Sequence, residues 1–313
     1  MSQVTVSIYV PTYNHEKYIA RALDSIKMQK TRYDYEVFVG EDCSTDNTRQ
    51  VLQAWEKENP DPRFHIFYRE TNMYSIGASN ALDLKKRCHG KYLICLEGDD
   101  FWTDENKLET QVCFLEEHPQ YYAVAHNCTV VGADSLPNGE SYPECKDAEY
   151  TFRHFASDIL PGQYATLLSR NYMTDPDIED TLLTRKGGAG DRRVYFTLLC
   201  YGKIHCMQRP MSAYRHITSG GSSFSANHSY SYDSQEADLR TYMEYAYRQN
   251  CREAILVAEF LYMRNIRFAR RKGFVDKTRA KADQKNIRHL MRAKFLLLKR
   301  DINCRILHKK LHL

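Results

Sequence analysis

The sequence has no apolar run long enough to cross a bilayer, and residues 1–4 do not begin the basic and apolar segments of a signal peptide. Its 10 cysteines include no C-x-x-C pair and no Cys/His knuckle, which argues against a disulfide framework or a zinc site. Internal repeats and low-complexity tracts are also lacking. We therefore expect a globular, cytosolic protein with reduced thiols.

The formal net charge of +4 conceals a basic C-terminal region. From residue 264 to the end, 17 Lys and Arg stand against 3 Asp, so this region carries +14 and the remainder −10. Apolar residues recur at helical spacing between Ile287 and Leu298, and a basic amphipathic helix of this kind can lie on an anionic membrane surface. Packing on the rest of the protein or on a second subunit explains the same pattern, so both interpretations stay open.

Strand and helix patterns alternate along the first hundred residues. Val4, Val6, Ile8 and Val10 alternate with polar residues in a first strand that residues 11–14 interrupt, and Asn14 is a candidate N-cap for the helix that follows. Further strands are expected at 35–39, 64–68 and 91–96, with helices between them. This alternation predicts an α/β fold with a mainly parallel sheet flanked by helices.

Polar clusters follow three of these strands, at residues 11–14, 41–46 and 97–100. Ligands of parallel sheets bind at the carboxyl ends of the strands, so we expect the three clusters to meet in one crevice. The carboxylates of Glu97, Asp99 and Asp100 suit a divalent cation that neutralises a diphosphate. A solvated acidic turn that caps the next helix is the structural alternative.

The second half of the chain is less regular. A strand is predicted at 121–131, a loop at 132–150, a glycine loop at 187–190, a helix near Asp191 and a strand at 203–208. Ser and Gly crowd residues 218–225, which predicts a mobile loop, and helical patterns begin near 234. We divide the chain into a domain of residues 1–225 and a helical basic extension of residues 226–313.

Three stretches together resemble the inverting glycosyltransferases of family 2, which have the nucleotide-diphospho-sugar transferase fold called GT-A. They are Val6–Asn14, Glu41–Asp46 and Gly90–Trp102, in the family's order and spacing. The resemblance covers roughly the first 225 residues, and similar proteins assemble bacterial surface glycans. Departures occur at Glu41 and Cys43, where the family has Asp and Gly, and at Glu97, where it often has Asp.

The resemblance implies a donor site for a nucleotide sugar, with UDP as the nucleotide. Asp42 would accept a hydrogen bond from the uracil ring, and Pro11, Thr12 and Tyr13 would line the nucleotide pocket. For Tyr13 a packing role explains the residue equally well. Asp99 and Asp100 would hold Mn²⁺ or Mg²⁺, and Asp99 would thereby also contribute to donor binding.

The resemblance also implies residues around the reacting sugar. Asp191 aligns with the base that takes a proton from the acceptor hydroxyl, although an aspartate after glycines also suits a helix cap. Arg215 would contact the pyrophosphate, and His216 would supply a further metal contact. Residues 218–225 would then form a lid over the bound donor.

Rival functions are a sugar-nucleotide-forming nucleotidyltransferase and a nucleic-acid-binding protein that uses the basic region. The first usually has a glycine-rich phosphate loop where this chain has Pro11–Asn14, and no nucleic-acid motif supports the second. A processive synthase is disfavoured because neither a membrane span nor a Gln-x-x-Arg-Trp motif is present.

We expect a single-addition transferase whose acceptor is a glycan or a lipid-linked saccharide. Its expected location is the cytosol or the periphery of the inner face of the cell membrane. Whether it forms a homo-oligomer stays open.

Overall fold

The computed structural model describes residues 4–176, 178, 190–217 and 230–311, with the side chains of 301–311 left out. Its strands are β1 (Val6–Thr12), β2 (Tyr35–Glu41), β3 (Phe64–Tyr68), β4 (Tyr92–Cys95), β5 (Phe101–Trp102), β6 (Tyr121–Val131), β7 (Glu149–Tyr150), β8 (Leu168–Arg170) and β9 (Lys203–Arg215).

Helices cover both faces of the sheet that these strands form. They are α1 (Ile19–Lys27), α2 (Thr48–Glu58), α3 (Asn80–Arg87), α4 (Lys107–Glu117), α5 (Phe152–Ala156), α6 (Gly190–Tyr201), α7 (Tyr232–Arg248), α8 (Arg252–Arg271), α9 (Lys277–Gln284) and α10 (Leu290–Leu311). A 3₁₀ turn spans Tyr164–Thr166. No helix in the described part of the chain is both long and apolar enough to cross a membrane.

The strands form one mixed sheet in the order β3-β2-β1-β4-β8-β6-β9-β5, and β7 pairs with β9. The first four strands of this order are parallel, as predicted. The second half is mixed, since β8 runs antiparallel to both β4 and β6, whereas β6 and β9 are parallel. The α/β prediction is therefore confirmed, and the predicted strand at 203–208 runs on to Arg215 because β6 pairs along its length.

Strand β1 lies in the middle of the sheet and is buried on both faces. Val6, Ile8 and Val10 pack with α1, α2 and α4, whereas Tyr9 packs with α3, α6 and the C-terminal helices. Ser7 is also fully buried and is paired, because its hydroxyl donates to Glu36 Oε1 at 2.5 Å. The alternating residues of β1 therefore face two different buried cores, and neither face of this strand is exposed to solvent.

Residues 11–14 differ from the prediction. Strand β1 continues through Pro11 and Thr12, and the Pro11 carbonyl accepts a hydrogen bond from Gly98 N at 3.1 Å. Asn14 caps no helix, because α1 begins only at Ile19. Its φ of 57° is left-handed, and its side-chain oxygen accepts from Thr45 N at 2.9 Å. Asn14 therefore joins the first loop to the second.

The C-terminal helices share a core with the sheet domain. Tyr242 of α7, Phe260 and Ile266 of α8 and Leu297 of α10 belong to the same hydrophobic cluster as Tyr195 of α6. This settles part of the open question about the basic region, since one side of α10 packs on the protein. The glycines of the predicted loop at 187–189 and the predicted mobile loop at 218–225 lie outside the described residues.

Candidate active site

The carboxyl ends of β1, β2 and β4 lie side by side and bring the three polar clusters together. Asp42 N donates to the Thr12 carbonyl at 3.0 Å, and Gly98 N donates to the Pro11 carbonyl. Gly98 must be glycine, since a Cβ there would lie 2.6 Å from Thr12 Oγ1 and 2.9 Å from His15 Nδ1. The predicted meeting of the three loops is present.

Side chains tie the first loop to the second. Asn14 N donates to Ser44 Oγ at 3.0 Å, and His15 N donates to Thr48 Oγ1 at 2.7 Å. Asp46 accepts from Thr48 N at 2.9 Å at the start of α2 and also from Glu16 N at 3.2 Å. The loops therefore form one hydrogen-bonded unit.

Three carboxylates cluster after β4. Glu97, Asp99 and Asp100 each place an oxygen within 4.8 Å of the others. The Glu97 side chain reaches solvent, yet partial desolvation and the like charges of Asp99 and Asp191 raise its pKa to about 8. Burial, with the charges of Asp99 and Glu97, raises the pKa of Asp100 well above its ordinary value. A bound cation would relieve this repulsion.

The two aspartates of the cluster point in different directions. Asp100 is only 2% exposed, and its oxygens accept from Arg215 N at 2.8 Å and Gln163 Nε2 at 3.0 Å. The Asp99 side chain is 31% exposed and lies 3.8 Å from His15 Nε2. Asp99 therefore has its oxygens open to the crevice, whereas Asp100 is held by protein donors.

Arg215 is anchored by the acidic loop and by the loop after β6. Its Nε donates to the Asp99 carbonyl at 2.8 Å, and Nη1 donates to the Gly132 carbonyl at 2.6 Å. Nη2 donates to Ser135 Oγ at 2.9 Å, and the guanidinium stacks on the Tyr18 ring at 3.9 Å. We predicted that Arg215 contacts the pyrophosphate. In the structure its guanidinium instead donates hydrogen bonds to backbone carbonyls and to a serine hydroxyl.

His216 contacts a residue outside the acidic cluster. Its Nδ1 lies 2.5 Å from Glu140 Oε2, and its ring stacks near Tyr214. Within the described residues the ligand atoms grouped after β4 are those of Glu97, Asp99 and Asp100, without His216. The metal contact of His216 stays a prediction, because its ring is not grouped with the three carboxylates.

Asp191 is brought to this crevice from the second half of the chain. It is the second residue of α6, where the helix dipole favours negative charge, and its Oδ1 accepts from Arg192 N at 2.7 Å. Burial raises the pKa of Asp191, opposed by that hydrogen bond and by the charges of Arg192 and Lys85. The carboxylate is close enough to Glu97 to raise that residue's pKa as well.

Asp42 lies on the opposite side of β1 from the acidic loop. Its side chain accepts from Met73 N at 2.8 Å and from Asn72 Nδ2 at 3.3 Å, and burial raises its pKa. Thr12 is buried with its hydroxyl 3.1 Å from His15 Nδ1. Pro11 and Tyr13 are partly exposed beside it.

Several residues around the crevice were not predicted. His15 and Gln163 support the acidic cluster, and Lys85 Nζ lies 5.4 Å from the ring centre of Tyr9 and 5.6 Å from that of Tyr164. His15 directly follows the first polar cluster, so its position was a usable signal. Gln163 and Lys85 stand in no recognisable motif, because only the fold brings them here.

Cys145, Asp147 and His154 form a second group with metal-ligand chemistry, away from the acidic loop. His154 Nδ1 accepts from Thr151 N at 3.1 Å in a capping box at the start of α5. The proton of the neutral ring therefore sits on Nε2, which lies 2.9 Å from Asp147 Oδ2. Helix capping accounts for this histidine without a metal.

Comparison with known proteins finds a family match in the first half of the chain. Residues 7–159 match the family model described as glycosyl transferase family 2. An uncharacterized protein of Mycobacterium tuberculosis is 36% identical over 139 residues, which are 44% of this chain and 39% of that protein. The UDP-Glc:alpha-D-GlcNAc-diphosphoundecaprenol beta-1,3-glucosyltransferase WfgD of Escherichia coli is 32% identical over 149 residues, 45% of this chain and 55% of WfgD. The match spans less than two thirds of the length of each relative.

Solved structures identify the fold. Staphylococcus aureus TarS 1–349 in complex with UDP-GlcNAc superposes with a TM-score of 0.63 at 20% identity, covering 92% of this chain and 81% of that one. The UDP complex of the same protein gives a TM-score of 0.61 at 21% identity, covering 88% and 76%. The predicted GT-A fold is confirmed. The match to glycosyltransferase family 2 covers residues 7–159 of this chain.

Proposed function

We propose that the protein is an inverting glycosyltransferase that transfers a sugar from a UDP-sugar to a hydroxyl of a glycan or lipid-linked acceptor in surface polysaccharide biosynthesis. The observation that carries this proposal is the meeting of Asp42, the acidic cluster and Asp191 at the carboxyl ends of β1, β2 and β4. The relatives support it, since WfgD is named for UDP-Glc and TarS has been solved with UDP-GlcNAc.

The acidic cluster fits a divalent cation, because its three carboxylates crowd together and the pKa values of Glu97 and Asp100 are raised. Asp99 and Asp100 would hold Mn²⁺ or Mg²⁺, and the ion would act as a Lewis acid that stabilises the leaving diphosphate. Asp99 offers the open oxygens, while Asp100 also shapes the loop through Arg215 and Gln163. We leave His216 out of the ligand set because, within the described residues, its ring is not grouped with the three carboxylates.

Asp191 serves as the base in this proposal. Inversion in one displacement requires the acceptor hydroxyl to lose its proton as it attacks from the face opposite the diphosphate. Burial makes the Asp191 carboxylate more basic than an exposed one, and Lys85 and Arg192 favour its charged form. Its proximity to Glu97 supports a location in the same site as the proposed metal ion.

Asp42 selects the base of the nucleotide. A uracil ring presents an N–H donor, and a carboxylate is a suitable acceptor. Met73 N and Asn72 orient this carboxylate, and each of its oxygens has a further lone pair for the ligand. Pro11, Thr12 and Tyr13 line the pocket next to it. Arg215 acts as a positioning residue that orders the acidic loop, instead of binding phosphate.

A thermal-shift panel of nucleotide sugars with and without Mn²⁺ tests the proposal. We expect selective, metal-dependent stabilisation by one UDP-sugar, followed by transfer to an acceptor with inverted anomeric configuration by NMR. Pyrophosphate release from a nucleoside triphosphate would instead indicate the nucleotidyltransferase. A salt-sensitive gel shift without sugar transfer would indicate a nucleic-acid-binding protein.

Gly98→Ala is expected to abolish metal-dependent donor binding. The new Cβ would overlap Thr12 Oγ1 and His15 Nδ1, which forces the acidic loop away from the end of β1. Overpacking of this kind costs about 1–3 kcal/mol of folding stability. Calorimetry with Mn²⁺ and UDP measures the loss. Gly190→Ala is the matched control, because a Cβ there meets no atom within 4 Å, and it should bind donor normally.

A further inference from the structure

Exposed apolar side chains concentrate in the C-terminal helices. Of the nine large hydrophobic residues exposed in the described part of the chain, five lie between 268 and 298. They are Phe268 at 44%, Phe274 at 53%, Met291 at 79%, Phe295 at 63% and Leu298 at 56%. Single exposed hydrophobics are ordinary, whereas such a concentration marks an interaction surface.

Helix α10 is apolar on two opposite sides. Ala293 and Leu297 are buried in the cluster shared with α8, which explains one side. Met291, Phe295 and Leu298 follow one another at spacings of four and three residues and therefore form a single row on the other side. Packing among the described residues leaves this second row uncovered.

Cations surround the uncovered row. A cleft of about 780 Å³ lies between α8, α9 and α10. Among the described side chains its lining includes six basic ones and no acidic one, namely Arg267, Arg270, Arg271, Lys277, Lys281 and Lys294. Leu298 of the apolar row lines the same cleft, so the row and the cations are continuous. On the helix, Lys294 flanks the row on one side and Arg292 and Lys299 on the other.

We propose that the face formed by α8, α9 and α10 docks on an anionic phospholipid bilayer. Met291, Phe295 and Leu298 insert among the headgroups, and the cations of the cleft contact the lipid phosphates. An apolar row edged by Lys and Arg is the arrangement by which helices lie in the membrane interface. The docking does not depend on the proposed activity, although it would bring the enzyme to a lipid-linked acceptor.

Other occupants fit this face less well. A symmetric dimer would place the same patch of both subunits together and so oppose two groups of cations. A nucleic acid would satisfy the cations but leave the apolar row in water. The bilayer satisfies both components of the face.

Vesicle sedimentation of the full chain tests the inference. We expect binding to vesicles of phosphatidylglycerol and phosphatidylcholine, and little binding to phosphatidylcholine alone. Phe295→Ser and Met291→Ser should each weaken binding by about tenfold, since each removes a large inserted side chain. Leu136→Ser is the control, because Leu136 is 62% exposed on the sheet domain and should not matter. Lys294→Glu should also weaken binding, whereas Lys57→Glu on α2 should have little effect.

Phe295→Trp gives a second readout that does not rely on loss of binding. The native Trp55 and Trp102 are 5% and 1% exposed, so the new indole dominates any change. A blue shift on adding anionic vesicles, with quenching by brominated lipid chains, is expected. No binding of the wild type to anionic vesicles would overturn the inference. A wild-type dimer in light scattering, together with a monomeric Phe295→Ser variant, would also overturn it. Vesicle binding that is the same for the wild type and all α10 variants would overturn it as well.

Discussion

Asp191→Asn is expected to lower sugar transfer by about 10²–10⁴-fold and to leave donor binding nearly unchanged. The amide keeps the size of the side chain and still offers an oxygen to Arg192 N, but it takes no proton from the acceptor hydroxyl. Single-turnover kinetics and calorimetry with the UDP-sugar separate the two effects. Asp61→Asn is the control, because Asp61 lies before β3, at the other end of the sheet, and pairs with Arg63.

The pH profile gives the same prediction a second readout. A base works in its deprotonated form, and burial raises the pKa of Asp191 above that of an ordinary carboxyl. Transfer by the wild type should therefore fall as the pH drops through this raised pKa, and the residual rate of Asp191→Asn should lack that acidic limb. A fully active Asp191→Asn protein would show that another residue is the base.

Asp99→Asn and Asp100→Asn are expected to differ in thermal stability, although both should lose metal-dependent UDP binding. Asp99 faces the crevice, so its substitution should abolish Mn²⁺-dependent UDP binding while the melting temperature stays close to that of the wild type. Asp100 accepts from Arg215 N and Gln163 Nε2, and an amide would turn an N–H toward one of these donors. Leaving a buried donor unpaired costs about 1–3 kcal/mol, so this variant should also melt earlier.

Calorimetry with Mn²⁺ and UDP, together with a melting curve, distinguishes the two variants. His216→Ala is the matched control, because this histidine contacts Glu140 and should leave metal affinity unchanged. If Asp99→Asn binds Mn²⁺ and UDP like the wild type, the acidic loop is not the metal site. If His216→Ala loses the metal, our exclusion of His216 is wrong.

Elements with a strong periodic pattern could be read directly from the chain. The bounds predicted for β3 and β6 agree with the structure, because continuous β-branched and aromatic runs favour strands. The end of β1 was predicted too early, since Pro11 usually interrupts a strand. Here the neighbouring Gly98 N satisfies its carbonyl, and pairing with β2 carries the strand on to Thr12.

Local sequence alone thus determined the alternating α/β order, the polar clusters after three strands and the charge asymmetry of the C-terminal region. Each depends on residues adjacent in the chain. Only the tertiary structure decided that Asp99 is partly exposed while Asp100 and Arg215 bond to the protein, and that the described residues leave one side of α10 uncovered. These outcomes depend on contacts between distant segments, such as Arg215 with the 132–135 loop, and side-chain direction there is set by packing that no local pattern records.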